Sequence, residues 1–163
     1  MKRVSPYTIL VQVLEGGKLP SKANFNDAGF DVYATDDIVL YPGQVLKHPL
    51  NIRLDLPPGA WARIETKSGL GSKGMHVWAG VIDEGYRGIP HVIMSNIKMK
   101  LDECNDLTGE PYENTEPLMI KKGDKVAQIT MNPHSNDFHM IQVDEVSLDT
   151  NRGTGGFGSS GTR

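Results

Sequence analysis

Ile38-Val39-Leu40-Tyr41-Pro42-Gly43 is the stretch on which the fold class turns. Three β-branched or aliphatic residues and a tyrosine run without a polar break, and a Pro-Gly turn then stops them. A continuous apolar run this short reads as a strand covered on both faces. The same unit recurs along the chain. Residues 7–13, 32–34, 51–56, 60–65 and 91–95 are rich in β-branched or aromatic side chains. Between such pieces stand Leu19-Pro20, Pro57-Pro58-Gly59 and Lys122-Gly123-Asp124. No segment holds a helical period. The expectation is an all-β sandwich or jelly roll.

The chain has 163 residues, enough for one domain with its own core. Cys104 is the single cysteine, so no intrachain disulfide forms, in keeping with a reducing compartment. The apolar run at Ile9-Leu10-Val11 is too short to span a bilayer, and no signal-peptide layout precedes it. The expectation is a soluble, cytoplasmic protein. Seventeen basic against twenty acidic side chains give a formal charge of -3, which argues against a broad nucleic-acid surface but not against a small basic pocket. Two segments depart from the strand pattern. Residues 98–117 are polar and acidic and read as a surface insertion. Residues 149–163 read as a glycine-rich arm beyond a domain covering residues 1–148.

Five segments carry candidate chemistry. Arg152-Gly-Thr-Gly-Gly-Phe-Gly-Ser-Ser-Gly161 joins a planar cation to glycines whose backbone can close on an anion. Ser159 and Ser160 add hydroxyl donors, and Phe157 can stack on a base; a plain flexible tail is the competing reading. Lys67-Ser68-Gly69 can face phosphate oxygens, or belong to an ordinary loop. Gly80-Val81-Ile82-Asp83-Glu84-Gly85-Tyr86 reads as a β-hairpin whose Asp83 can take a proton from water, or cap a turn. Asp31, in Asp27-Ala-Gly-Phe-Asp31, is a metal candidate or a turn residue. Gln128 lies among apolar residues, where an amide requires partners. The histidines lack zinc-ligand spacing, and no Gly-x-Ser-x-Gly elbow occurs.

In this order and spacing the five segments resemble the motifs of the trimeric dUTPase family, over residues 27–161. The resemblance implies a β jelly roll assembled as a homotrimer, with an exchanged C-terminal arm over each site. It implies hydrolysis of dUTP to dUMP and pyrophosphate with Mg²⁺, which limits uracil incorporation into DNA and supplies dUMP for dTMP synthesis. It gives Asp83 the role of activating the water that attacks the α-phosphorus in line. It places Gln128 on that water and the α-phosphate, and Arg152 on the γ-phosphate. Lys67, Ser68 and Gly69 form a phosphate cradle, and Asp31 meets Mg²⁺ through water. Tyr86 packs on deoxyribose, and Phe157 covers uracil with Gly158, Ser159 and Ser160 beside it. Uracil is read by hairpin backbone over Gly80, Val81 and Ile82 and around His91.

The chain departs from the family pattern in places. Lys67 stands for the usual arginine, Trp78 for a small glycine, and Pro90 is placed in the second hairpin strand, where it removes an N–H. The long 98–117 segment resembles extra segments of phage-encoded relatives and is a candidate docking surface for a protein partner. A dCTP deaminase of the same superfamily is the competing enzyme, but it requires a catalytic glutamate and a different second motif. A regulatory trimer that binds dUTP and a protein is the non-enzymatic alternative.

Overall fold

The computed structural model describes residues 5–78, 80–98, 116–135 and 140–146. Within them lie eleven strands and one helical turn. The strands are β1 (Leu10–Val13), β2 (Gly29–Tyr33), β3 (Ile38–Leu40), β4 (Val45–Pro49), β5 (Ile52–Asp55), β6 (Ala60–Glu65), β7 (Met75–Val77), β8 (Val81–Ile82), β9 (His91–Asn96), β10 (Leu118–Ile120) and β11 (Lys125–Pro133). The helical turn, α1 (Ser68–Gly71), follows β6. Pairing between the named strands is antiparallel: β2-β11-β6-β8 form one sheet, β4-β9-β7 a second, and β1-β5 and β3-β10 two ribbons, while an isolated parallel bridge joins Pro42 to Asn96. This is the expected all-β jelly roll. Its core is aliphatic, with Leu40, Val92, Met94, Ala62, Val126 and Ala127 fully enclosed.

Several sequence expectations shift. Residue Tyr7 stands outside β1, in a turn where Thr8 N–H donates to Ser5 O, and its ring is exposed. The Ile38–Leu40 strand is not covered on both faces. Val39 points outward with its cross-strand partner Met119, so the apolar run hides an ordinary two-faced alternation. Strands β4, β7, β10 and β11 escaped the sequence reading. The longest of them, β11, alternates polar Gln128 and Thr130 with buried Ala127 and Ile129 and carries a bulge between Lys125 and Ala127.

The segment read as one hairpin is divided between two sheets. Strand β7 pairs with β9, and Trp78 N–H donates to Ile93 O. From Gly80 onward the chain leaves β9 and joins β6 instead, through Ile64 N–H to Gly80 O at 2.9 Å and the register Ala62↔Ile82. Gly80 allows this close approach, because a Cβ there would lie 2.5 Å from Ile64 O. Pro90 does not interrupt a strand; it precedes β9, and its carbonyl accepts Leu50 N–H. Strands β8 and β9 are therefore splayed, and a cavity opens between them. Residues 99–115 of the 98–117 insertion, and the whole of 149–163, lie outside the described residues.

Candidate functional site

The splay gathers five of the expected substrate residues around one cavity. Gly80, Val81, Ile82, Tyr86 and His91 line a space of about 370 Å³ with Ile64 and Pro90. That volume suits a small ligand. The Ile89 carbonyl organises its rim: it accepts the Tyr86 hydroxyl at 3.2 Å and His91 Nδ1–H at 2.8 Å. The Tyr86 ring lies on Gly88, where a Cβ would stand 2.4 Å from its hydroxyl oxygen. One expected reader is already engaged, since the Gly80 carbonyl holds Ile64 N–H. Backbone groups alternate along an antiparallel strand, so those of Val81 turn to the opposite edge. Trp78 does not wall this cavity. It lines a groove with Arg63, Glu65 and His76, where its indole N–H donates to Ser95 Oγ at 2.7 Å and it meets His76 edge-on.

A second group forms on one face of the four-stranded sheet. In register across β2, β11 and β6 stand Asp31, Gln128 and Glu65. Directly opposed residues share a face, so their side chains form a polar row. The Gln128 amide lies over Gly29, where a Cβ would be 2.9 Å from Oε1. Past the end of β6, Lys67 turns back and its ammonium pairs with Asp31 Oδ1; Lys125 Nζ takes Oδ2 at 2.6 Å. Burial pushes the Asp31 carboxyl up, but the hydrogen bonds and charges of Lys125 and Lys67 outweigh it and hold it below the ordinary carboxylate value. The same contact raises Lys125. Ser68 and Gly69 open α1, exposed, and the first N–H groups of a helical turn point away from its own carbonyls.

Lys125 was missed in the sequence. It lies three residues before Gln128, a spacing that puts two side chains on opposite faces of a regular strand. The β11 bulge resets the alternation and brings both to Asp31. The acidic-basic pair Asp124-Lys125 beside a glycine was the available signal.

Asp83 belongs to neither group. It is exposed at the end of β8, in a turn closed by Tyr86 N–H to Asp83 O at 3.0 Å, and lines a shallow recess with Trp61, Glu84, Gly85 and His134. The register of β8 puts Asp83 beside Trp61, whereas Gln128 pairs with Glu65. Four residues of β6 separate them, roughly 13 Å at a strand's rise. One chain therefore brings Asp31, Lys67 and Gln128 together, and Gly80, Tyr86 and His91 together, but does not join Asp83 to Gln128. Arg152, Phe157, Gly158, Ser159 and Ser160 lie outside the described residues.

Among the described residues no cluster of three or more His, Cys, Asp or Glu forms a metal cage. Mg²⁺ needs little from a protein when phosphates supply its other ligands: one or two carboxylates, often through water. Asp31, held ionised beside the Lys67 loop, offers one such carboxylate. The residues fit Mg²⁺ as an outer-sphere contact and not as an all-protein site. Among the described residues no helix is long and apolar enough to cross a membrane.

The chain is similar to known proteins over most of its length. Residues 15–101 and 112–161 match the dUTPase family. A deoxyuridine 5'-triphosphate nucleotidohydrolase of Clostridium tetani is 35% identical over 167 residues, covering 97% of this chain and 99% of that protein. The matched share is far smaller in the Pol polyprotein of an ovine maedi visna related virus, where the chain spans 12% of the length at 34% identity. Among solved structures, the Staphylococcus bacteriophage 80alpha dUTPase with dUPNHPP superposes with a TM-score of 0.76 at 26% identity, covering 94% of this chain and 98% of that one. A point mutant of the dUTPase from phage phi11 of S. aureus, described with a structural Mg(II) ion, gives a TM-score of 0.70 at 25% identity over 85% of this chain and 98% of that one. The chain belongs to the dUTPase family.

Proposed function

We propose that this chain hydrolyses dUTP to dUMP and pyrophosphate, at sites assembled between copies of itself. The observation that carries the reading is the cavity between β8 and β9, bounded by Gly80, Val81, Tyr86 and His91. A planar base enters this slot against exposed strand backbone. Val81 supplies a fixed order of donor and acceptor, and a base with the opposite order leaves buried groups unpaired. Such a mismatch lowers kcat/KM for the wrong base by about 10⁴-fold. The Tyr86 ring, seated on Gly88, stands against the sugar and leaves no room for a 2′-hydroxyl.

Asp83 then accepts a proton from a water as that water attacks the α-phosphorus in line, and pyrophosphate leaves. The Gln128 amide orients the water and an α-phosphate oxygen. Lys67 moves from Asp31 to a phosphate, with Ser68 and Gly69 beside it, and Arg152 holds the γ-phosphate. Phe157 covers the base, flanked by Gly158, Ser159 and Ser160. Mg²⁺, when bound, would neutralise charge on the triphosphate, and Asp31 is the carboxylate that would hold it. Positioning and electrostatics do most of the work in phosphate transfer, which suits a site made of separate pieces.

The distance between Asp83 and Gln128 within one chain supports a homotrimer in which a neighbour's hairpin meets this chain's polar sheet row. Met140, Ile141, Val143 and Val146 are all exposed in residues 140–146, which supports an exchanged C-terminal segment leading to the arm at 149–163. Product analysis with dUTP, UTP, dTTP and dCTP, with and without Mg²⁺, tests the proposal. Pyrophosphate from dUTP alone is expected. Ammonia from dCTP would move the chain to the deaminases, and an Asp83→Asn chain with unchanged turnover would remove Asp83 from the mechanism.

A further inference from the structure

The turn that carries Asp83 contains Gly85 and ends at Gly88, so its backbone alone does not fix the carboxylate. Two side chains fasten it from outside. Glu84 Oε2 accepts Gly59 N–H at 2.9 Å and faces His134 Nε2 at 3.3 Å. Gly59 ends the Pro57-Pro58-Gly59 turn with φ +74°, and its carbonyl accepts His134 N–H at 2.9 Å. Glu84 thereby ties the Asp83 turn to the β5–β6 connection and to the chain just past β11. On the other side Arg87 Nη1 donates to Glu84 O at 2.6 Å and to Tyr86 O at 3.2 Å, while Nη2 pairs with Asp55 Oδ1 at 2.6 Å. One guanidinium thus braces two carbonyls of the turn against β5.

These contacts are poor candidates for stabilising the fold. The Arg87 and Asp55 side chains are 53% and 37% exposed, and ion pairs in water contribute little. Neither Glu84 nor Arg87 lines the cavity between β8 and β9. Their common geometric effect is to hold the Asp83–Glu84 end of the turn in place, whereas the Tyr86 ring keeps its own anchor, its hydroxyl on the Ile89 carbonyl. We propose that Arg87 and Glu84 are positioning residues for Asp83, fixing the direction of its carboxylate while leaving nucleotide affinity to other groups. The inference rests on Asp83 as the water-activating group.

A planar fork suits this task and an ammonium does not, because one point donor cannot reach two carbonyls and Asp55 together. Misplacing a reacting group by about 1 Å costs on the order of 10²-fold in rate.

The test uses the full chain with Asp83→Asn, Arg87→Ala, Arg87→Lys, Glu84→Ala and Glu84→Gln. For each, kcat and KM for dUTP, the Kd of α,β-imido-dUTP and the melting temperature are measured. Arg87→Ala and Glu84→Ala are expected to lower kcat by roughly 10- to 100-fold. Analogue Kd should stay within about threefold and melting within a few degrees. Arg87→Lys should stay impaired, whereas Glu84→Gln, which keeps the acceptor for Gly59 N–H, should recover most of the loss. Unchanged kcat in both alanine variants, with Asp83→Asn inactive, overturns the positioning role alone. Parallel losses of kcat, analogue affinity and melting temperature overturn it too, in favour of a purely structural one. A fully active Asp83→Asn chain removes the group to be positioned, and the inference falls with the assignment beneath it.

Discussion

Gly80→Ala probes the point where the chain changes sheets. A methyl at Gly80 would stand 2.5 Å from Ile64 O and 3.1 Å from Ile64 N, while ordinary contact begins at 3.4 Å. The atoms in the way are strand backbone and cannot rotate aside. Strand β8 must retreat from β6 by about 0.9 Å, and the bond from Ile64 N–H to Gly80 O, now 2.9 Å, is lost or lengthened. Overpacking of this kind costs about 1–3 kcal/mol and the hydrogen bond roughly 1 kcal/mol more. At about 3 °C per kcal/mol for a chain of this size, melting falls by roughly 6–12 °C. The retreat also carries Val81 and Tyr86, so α,β-imido-dUTP binds more weakly. Differential scanning fluorimetry and titration calorimetry read the two effects. Gly85→Ala is the control for melting, since a Cβ there meets nothing within 4 Å. A Gly80→Ala chain that melts with wild type and binds the analogue normally would refute the argument from the close strand approach.

Gly29→Ala pushes against the end of a flexible side chain rather than backbone, 2.9 Å from Gln128 Oε1. Melting should hold within a few degrees while kcat falls about tenfold as the amide is displaced, measured by calorimetry and steady-state kinetics. Asp31→Asn frees Lys67 and Lys125 from their shared carboxylate and should raise the Mg²⁺ concentration for half-maximal rate by about 10- to 100-fold; an unchanged Mg²⁺ profile would remove Asp31 from that role. His48 predicts a pH dependence of stability. Burial lowers its pKa from 6.5, and its Nε2 accepts Thr35 N–H at 3.0 Å, so the folded chain keeps it neutral. The unfolded chain binds the proton from about pH 6.5 downward, so unfolding free energy falls with falling pH below that point, by at most about 1.4 kcal/mol per unit. Urea melts between pH 7.5 and 5 should show this slope, and His48→Gln should flatten it.

The sequence made the architecture legible because short apolar runs and Pro/Gly turns are local signals. Residues 60–65 were read with the observed bounds; the strands at 38–41, 51–56 and 91–95 were off by one residue at an end or at both, and those at 7–13 and 32–34 missed the observed start by three. Strand β11 was lost because the bulge at its start sets Val126 and Ala127 side by side, both buried, and because Ala127, Asn132 and Pro133 carry little strand propensity. The divided hairpin was not legible, because Gly80 joining β6 rather than β9 depends on the fit of two distant backbones. Lys125 was hidden by a bulge that shifts parity by one residue. The Asp31, Lys67 and Gln128 grouping was legible as a list of residue types, but the double ion pair on Asp31 appears only when β2, β6 and β11 lie side by side. Arg87 and Glu84 carry no sequence signal of their own, since their partners Asp55 and Gly59 are more than twenty positions away.

The roughly 13 Å along β6 that separates Asp83 from Gln128 has a genetic consequence. If every working centre borrows its carboxylate from next door, two differently damaged chains can repair each other. A copy lacking Asp83 and a copy lacking Gln128, each inert alone, would on mixing create some junctions where both sound halves meet. Conversely, a single defective allele would spoil centres that its own product only borders, so the harm from one bad chain would spread through the assembly.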